Sequence, residues 1–188
     1  MSAAAVAIGS LVLDTARKRF RSLKSLAEEA FEQLDDAQIH QVPGPECNSV
    51  AVIAKHVVGN LRSRWADFLT TDGEKLWRNR DTEFEDDRPA RAGFERRWHE
   101  AWQILFDVLD ELTPDDLMRE VTIRGEPHSV IDAIERQHGH YAYHVGQIVY
   151  AAKLMLGARW RTLSVPRGDS GAFNASMGYH PERGAHDP

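Results

Sequence analysis

His140 and His144, in the run Gln137-His138-Gly139-His140-Tyr141-Ala142-Tyr143-His144-Val145-Gly146-Gln147-Ile148, stand four residues apart. On a helix that spacing puts two imidazoles one turn apart on one face, where both can reach a single metal ion. The pair alone is a weak motif, because nine histidines in 188 residues yield about 0.4 such pairs by accident. A third ligand is needed. His56, inside the apolar stretch Val52-Ile53-Ala54-Lys55-His56-Val57-Val58-Gly59-Asn60-Leu61, is the candidate, and two readings of it stand open: a ligand, or a core histidine bonded to a backbone carbonyl. Three neutral imidazoles would leave positions free for water or substrate, the arrangement of catalytic rather than structural sites. An ion there would lower the pKa of a water or thiol that reached it. Gln147, one turn beyond His144, and Asn60, one turn beyond His56, are candidates to orient a ligand or water, with helix-packing hydrogen bonds as the alternative. Arg64, Arg78 and Arg80 are candidates for a substrate carboxylate, or for ordinary surface salt bridges. Tyr141 and Tyr143 read as packing or rim residues.

The elements that must position these residues are helices. Apolar or small residues at Leu13, Ala16, Phe20, Leu23, Ala27, Ala30 and Leu34 alternate steps of three and four, which predicts an amphipathic helix over about residues 10–34. Val42-Pro43-Gly44-Pro45 excludes helix from the linker that follows. Asn48 or Ser49 can cap a second helix, predicted to run to about residue 69, with Ile53, His56, Val57, Asn60, Arg64 and Phe68 facing inward. Three of those are polar, and an unpartnered buried polar group costs about 1–3 kcal/mol, so partners are expected. Residues 72–92 are dense in charge and long for a connection. A crossover between parallel helices accounts for that length, with Trp77 and Phe84 expected to pin the loop. A third helix is predicted near residues 93–112, with His99 exposed beside its apolar stripe. Thr113-Pro114 starts a short helical turn, residues 121–127 read as a small extended or hairpin segment, and a fourth helix is expected from Ser129 to about residue 156.

Composition sets further bounds. The length and the 42% apolar, 28% charged content fit one domain, and the formal charge of -6 argues against nucleic acid as a partner. The apolar run over residues 3–13 lacks a basic flank and is too short to span a bilayer, so no membrane association is expected. The single cysteine, Cys47, leaves histidine to supply any metal site and agrees with a cytoplasmic location.

His56-Val57-Val58-Gly59-Asn60 and the run from His140 to Ile148, with Asp72-Gly73-Glu74-Lys75, Asn79-Arg80-Asp81-Thr82-Glu83-Phe84 and Leu163-Ser164-Val165-Pro166-Arg167-Gly168, resemble the DinB/YfiT-like metalloprotein superfamily. More narrowly, they resemble a DinB-like subfamily of unknown function. The resemblance spans most of the chain. It implies an all-α, four-helix, up-down-down-up bundle over residues 1–160, with a long crossover between helices 2 and 3 and a partly ordered tail over 161–188. It also implies a divalent transition metal (zinc, nickel, iron or manganese) on His56, His140 and His144, and a homodimer. Some relatives use a low-molecular-weight thiol (bacillithiol, mycothiol or glutathione), so the leading expectation is an enzyme that activates a water or thiol for transfer to an electrophilic small molecule. The alternative expectation is a dimeric metal-binding stress or interaction protein without turnover.

Overall fold

A computed structural model describes residues 2–179, a mostly helical chain with one small two-stranded sheet. Ser2 caps α1 (Ala3–Phe31) by accepting a hydrogen bond from the Ala5 amide, so the helix begins a turn or more before the apolar pattern that predicts it. A four-residue helix, α2 (Asp36–Ile39), follows, closed by a capping box between Asp35 and Gln38 that the sequence reading did not anticipate. Its Ile39 is buried in the core.

The second long helix, α3 (Val50–Trp65), takes Ser49 as its cap and stops four residues short of the predicted end. Ala66 is extended and Asp67 adopts a φ of 49°, which turns the chain away while Phe68 still reaches the core. After the long loop come α4 (Arg91–Glu111), the short 3-10 turn Pro114–Met118, the hairpin β1 (Glu120–Ile123) with β2 (Glu126–Ser129), and α5 (Val130–Leu156). The strands are antiparallel, Ile123 opposite Glu126, and the two turn residues Arg124 and Gly125 both have positive φ, the geometry that two-residue hairpins favour. Gly157, at a φ of 54°, ends α5. A seven-residue helix, α6 (Ser170–Ser176), lies in the tail.

The four long helices share one hydrophobic core, with α1 against α4 and α5, and α3 against the same two. Its centre is aromatic. Phe20 lies 6.2 Å from Trp65 and 5.9 Å from Tyr141, and Trp102 lies 5.5 Å from Tyr141, edge-on or tilted contacts that add to area burial. Near one end, Phe31 meets Phe94 and Trp98, and Arg91 donates to the Phe31 and Leu34 carbonyls, satisfying groups that the end of α1 leaves open. Near the other, Arg17 pairs with Asp110 at 2.8 Å. The tail is tied down where Trp160 and Leu163 pack on the core and Gln33 exchanges two hydrogen bonds with the Arg161 backbone. The part of the expected tail over residues 180–188 lies outside the described residues. Among the described residues no helix is long and apolar enough to cross a membrane.

The loop between α3 and α4 is anchored by polar groups. Ser63 and Arg64 both donate to the Gly73 carbonyl, and the Gly73 amide donates to Thr122 of the hairpin. Asp72 accepts from the Arg124 and Gly125 amides at 2.9 and 2.8 Å. Trp77, expected to pin this loop, is instead 62% exposed.

Two glycines test the packing with opposite signs. A Cβ on Gly9 would lie 2.6 Å from Pro114 Cβ, whereas one on Gly139 meets nothing within 4 Å. Urea unfolding should show Gly9→Ala losing about 1–3 kcal/mol and Gly139→Ala gaining up to about 1 kcal/mol, the helix-propensity difference.

Candidate metal centre

His56 comes from the middle of α3, and His140 and His144 come from successive turns of α5. The two helices are in contact, and a bridge of hydrogen bonds sets their register: Trp65 Nε1 donates to Tyr141 Oη at 3.1 Å, and Tyr141 donates to Asn60 Oδ1 at 3.0 Å. The result brings one ring nitrogen from each of His56, His140 and His144 within 4.8 Å of one another. The His56 ring centroid lies 5.5 Å from that of His140 and 4.8 Å from that of His144.

The outer nitrogens decide how the inner ones behave. His56 Nδ1 donates to Glu83 Oε2 at 2.8 Å, and His144 Nδ1 donates to Gln147 Oε1 at 2.8 Å. A neutral imidazole with its proton on Nδ1 presents a lone pair on Nε2. Both rings are thereby held in the tautomer that suits a metal ligand, with a carboxylate or amide behind them. His140 Nε2 faces His144 Nε2 at 3.1 Å, and its buried Nδ1 has no hydrogen-bond partner among the described residues. Three nitrogens bound to one ion at about 2.1 Å in tetrahedral array would stand about 3.4 Å apart. The three histidines fit such an ion after small side-chain adjustments.

The electrostatics favour the uncharged form that a ligand needs. Burial, then the rings of His144 and His56, lower the His140 pKa to about 3, and burial lowers that of His144 against the opposing bond to Gln147.

Glu83 is the residue that sequence reasoning missed. It arrives on the 3-10 turn Asp81–Phe84 of the long loop and is only 6% exposed. Arg78 grips it with Nε and Nη2, each at 2.8 Å, the two-pronged pairing that suits guanidinium and carboxylate. Burial raises the Glu83 pKa, but the bonds from Arg78 and His56 outweigh it, and the group stays below the ordinary carboxylate range. Access depends on Gly59, because a Cβ there would lie 2.1 Å from Glu83 Oε1. Gly59 is three residues past His56, on the same face of α3. The available signals were a glycine at that position and an inward histidine that lacked a carboxylate on its own helix.

The other expected residues are placed as follows. Gln147 lines the cavity in front of the histidines, together with Asn48, Ile53, Arg80, Phe84 and Tyr143. Asn60 is turned into the core, where it accepts from Tyr141. Arg64 is buried against the loop, bonded to the Gly73 carbonyl and to Glu74 at 3.1 Å. Phe84 stacks on His56 with centroids 5.0 Å apart. His99, expected to stay outside the site, is an exposed neighbour of Lys24 and Glu28.

A family model described as "Protein of unknown function (DUF1572)" matches residues 7–169, a span that contains all three histidines and Glu83. No curated protein matches the chain.

Two measurements test this geometry. Glu83→Gln and Gly59→Ala should each weaken zinc binding by about 10- to 100-fold in a chelator competition, with the helical circular dichroism of the metal-free protein retained. Between pH 6.5 and about 3 the unfolded chain binds a proton at residue 140 that the native ring refuses. The contribution is therefore full above 6.5 and lost as pH falls toward 3. The urea midpoint of the metal-free protein should drop on going from about pH 7 to about pH 5, and less so in His140→Gln.

Proposed function

The chain belongs to the DUF1572 family of proteins of unknown function, a DinB/YfiT-like family, and from that premise we propose that it is a metal-dependent enzyme. It acts on a small electrophilic molecule, with water or a low-molecular-weight thiol as the attacking group. The observation that carries the reading is the meeting of three imidazole nitrogens from two helices within 4.8 Å, in front of a cavity of about 360 Å³, a volume typical of small-molecule sites. A divalent transition ion held there supplies Lewis acidity, which makes a water or thiol more acidic near neutral pH. The protein's own groups do the rest. Glu83 and Gln147 keep the protons of His56 and His144 on Nδ1, Phe84 covers the His56 face, and Asn48, Gln147 and Tyr143 offer hydrogen bonds along the cavity wall. Three neutral donors suit zinc, nickel, iron or manganese.

The scaffold in this reading is an up-down-down-up four-helix bundle. Its support lies in paired contacts. Phe31 meets Phe94 while Arg17 meets Asp110, so α1 and α4 run in opposite senses. His56 meets His144 while Trp65 meets Tyr141, which sets α3 against α5. Phe20 lies by Tyr141 and Gln33 by Arg161, which sets α1 along α5. The long loop then returns the chain to start α4 parallel to α3.

A second reading, a dimeric metal-binding stress or interaction protein without turnover, draws support from Tyr143, Tyr150 and Leu154. These exposed residues follow one another along α5 beside the cavity and would suit the face of a cytoplasmic homodimer.

Elemental analysis of protein purified without an affinity tag should find close to one divalent transition ion per chain in the wild type, and His144→Ala should lose most of it. The loaded wild type should then conjugate a low-molecular-weight thiol to one of a panel of electrophiles. Metal without turnover across that panel would favour the second reading, and equal metal content in both proteins would remove the site.

A further inference from the structure

The three arginines that the sequence offers for a substrate carboxylate have different fates in the fold. Arg64 pairs with Glu74 at 3.1 Å and Arg78 with Glu83 at 2.8 Å, and both guanidinium groups are buried. Arg80 makes no ion pair among the described residues. Its guanidinium carbon sits 5.1 Å over the Phe84 ring, and Phe84 in turn stacks on His56. The Phe84 ring thus touches both the exposed Arg80 guanidinium and the His56 ring, and it links the cation to the histidine cluster.

Charge in the cavity is one-sided. Its lining consists of Asn48, Ile53, Arg80, Phe84, Tyr143, Gln147 and the three histidines, so among the described residues Arg80 is the formally charged member and no acid lines the space. Glu83 lies behind His56, and its charge is already matched by Arg78. If the cluster holds a divalent ion, as the proposed function requires, its three ligands are neutral, so the two positive charges of the ion stay uncompensated. A low-dielectric wall strengthens that field. The occupant that balances it is an anion.

We propose that Arg80 recognises the carboxylate of a small organic acid whose far end carries the thiol or other group that reaches the histidines. This rests on the metal-site reading and names the substrate class for it. A guanidinium fork matches a planar carboxylate with two parallel N–H···O bonds. Stacking on Phe84 holds that fork in place before the ligand arrives and so reduces the entropy lost on binding. Arg80 is exposed, which limits the gain to that of a partly solvated pair.

The test is calorimetric titration of the zinc-loaded, full-length protein with mercaptopropionate and with mercaptoethanol, which share a thiol and differ in the carboxylate. The acid should bind about five- to tenfold tighter. Arg80→Ala should bring its affinity down to that of the alcohol, and Arg80→Lys should keep part of the difference. Equal affinities in the wild type, a preference that survives Arg80→Ala, or displacement of the acid by an equal concentration of inorganic phosphate would each overturn the assignment. Zinc content measured on the same samples separates the two levels. Zinc bound without a carboxylate preference removes the role of Arg80 and leaves the metal site standing, whereas failure to bind zinc removes both.

Discussion

The contact on which most of the structure turns is the hydrogen bond from His56 to Glu83, made across the bare backbone of Gly59. A carboxylate taken out of water is costly, and it stays ionised only where opposite charge and donors surround it. Arg78 supplies both, and its own burial is offset by Glu83 and by Glu74. Glu74 also pairs with Arg64 of α3 and Arg124 of the hairpin. The compensation therefore runs from loop to helix to hairpin, and its most buried members, Arg78 and Glu83, cannot part without stranding a charge. The irregular segment between α3 and α4 is part of the site for this reason, although few apolar side chains hold it down.

The same network separates two electrostatic environments. Behind the histidines, acids and arginines are paired, desolvated and fixed. In front of them lies a cavity lined by the imidazoles and by Arg80, which has no ion pair among the described residues. Burial lowers the basicity of His140 and His144, so their lone pairs remain available near neutral pH; the tautomer of His56 is set from the protected side by Glu83, and that of His144 from the cavity wall by Gln147.

The periodic parts of the chain were readable before any coordinates. The three-four alternation located α4 and α5 to within a few residues and found α1, though not its first two turns; Ser49 and Ser129 marked real caps, and the β-branched run before Gly125 was a hairpin. The failures share a cause. The early end of α3, the small helix at Asp36 and the exposure of Trp77 all fall where local pattern is weak and neighbouring elements decide the backbone. Asn60 and Arg64 illustrate the limit for side chains. Both were correctly read as inward-facing polar groups, yet their partners are Tyr141 and the Gly73–Glu74 loop, contacts between segments far apart in the chain.

Sequence alone determined which residue types were available and which face of each helix they occupied, because helical period and capping are local properties of the backbone. It marked His56, His140 and His144 as inward-facing and put the latter two one turn apart. Only the tertiary structure decided that α3 and α5 meet at a register that brings the three rings together. It alone paired Arg64 with Glu74 and Arg78 with Glu83, and it alone carried Glu83 over Gly59 to His56. Those outcomes depend on shape and charge compensation between distant segments, and no spacing along the chain encodes them.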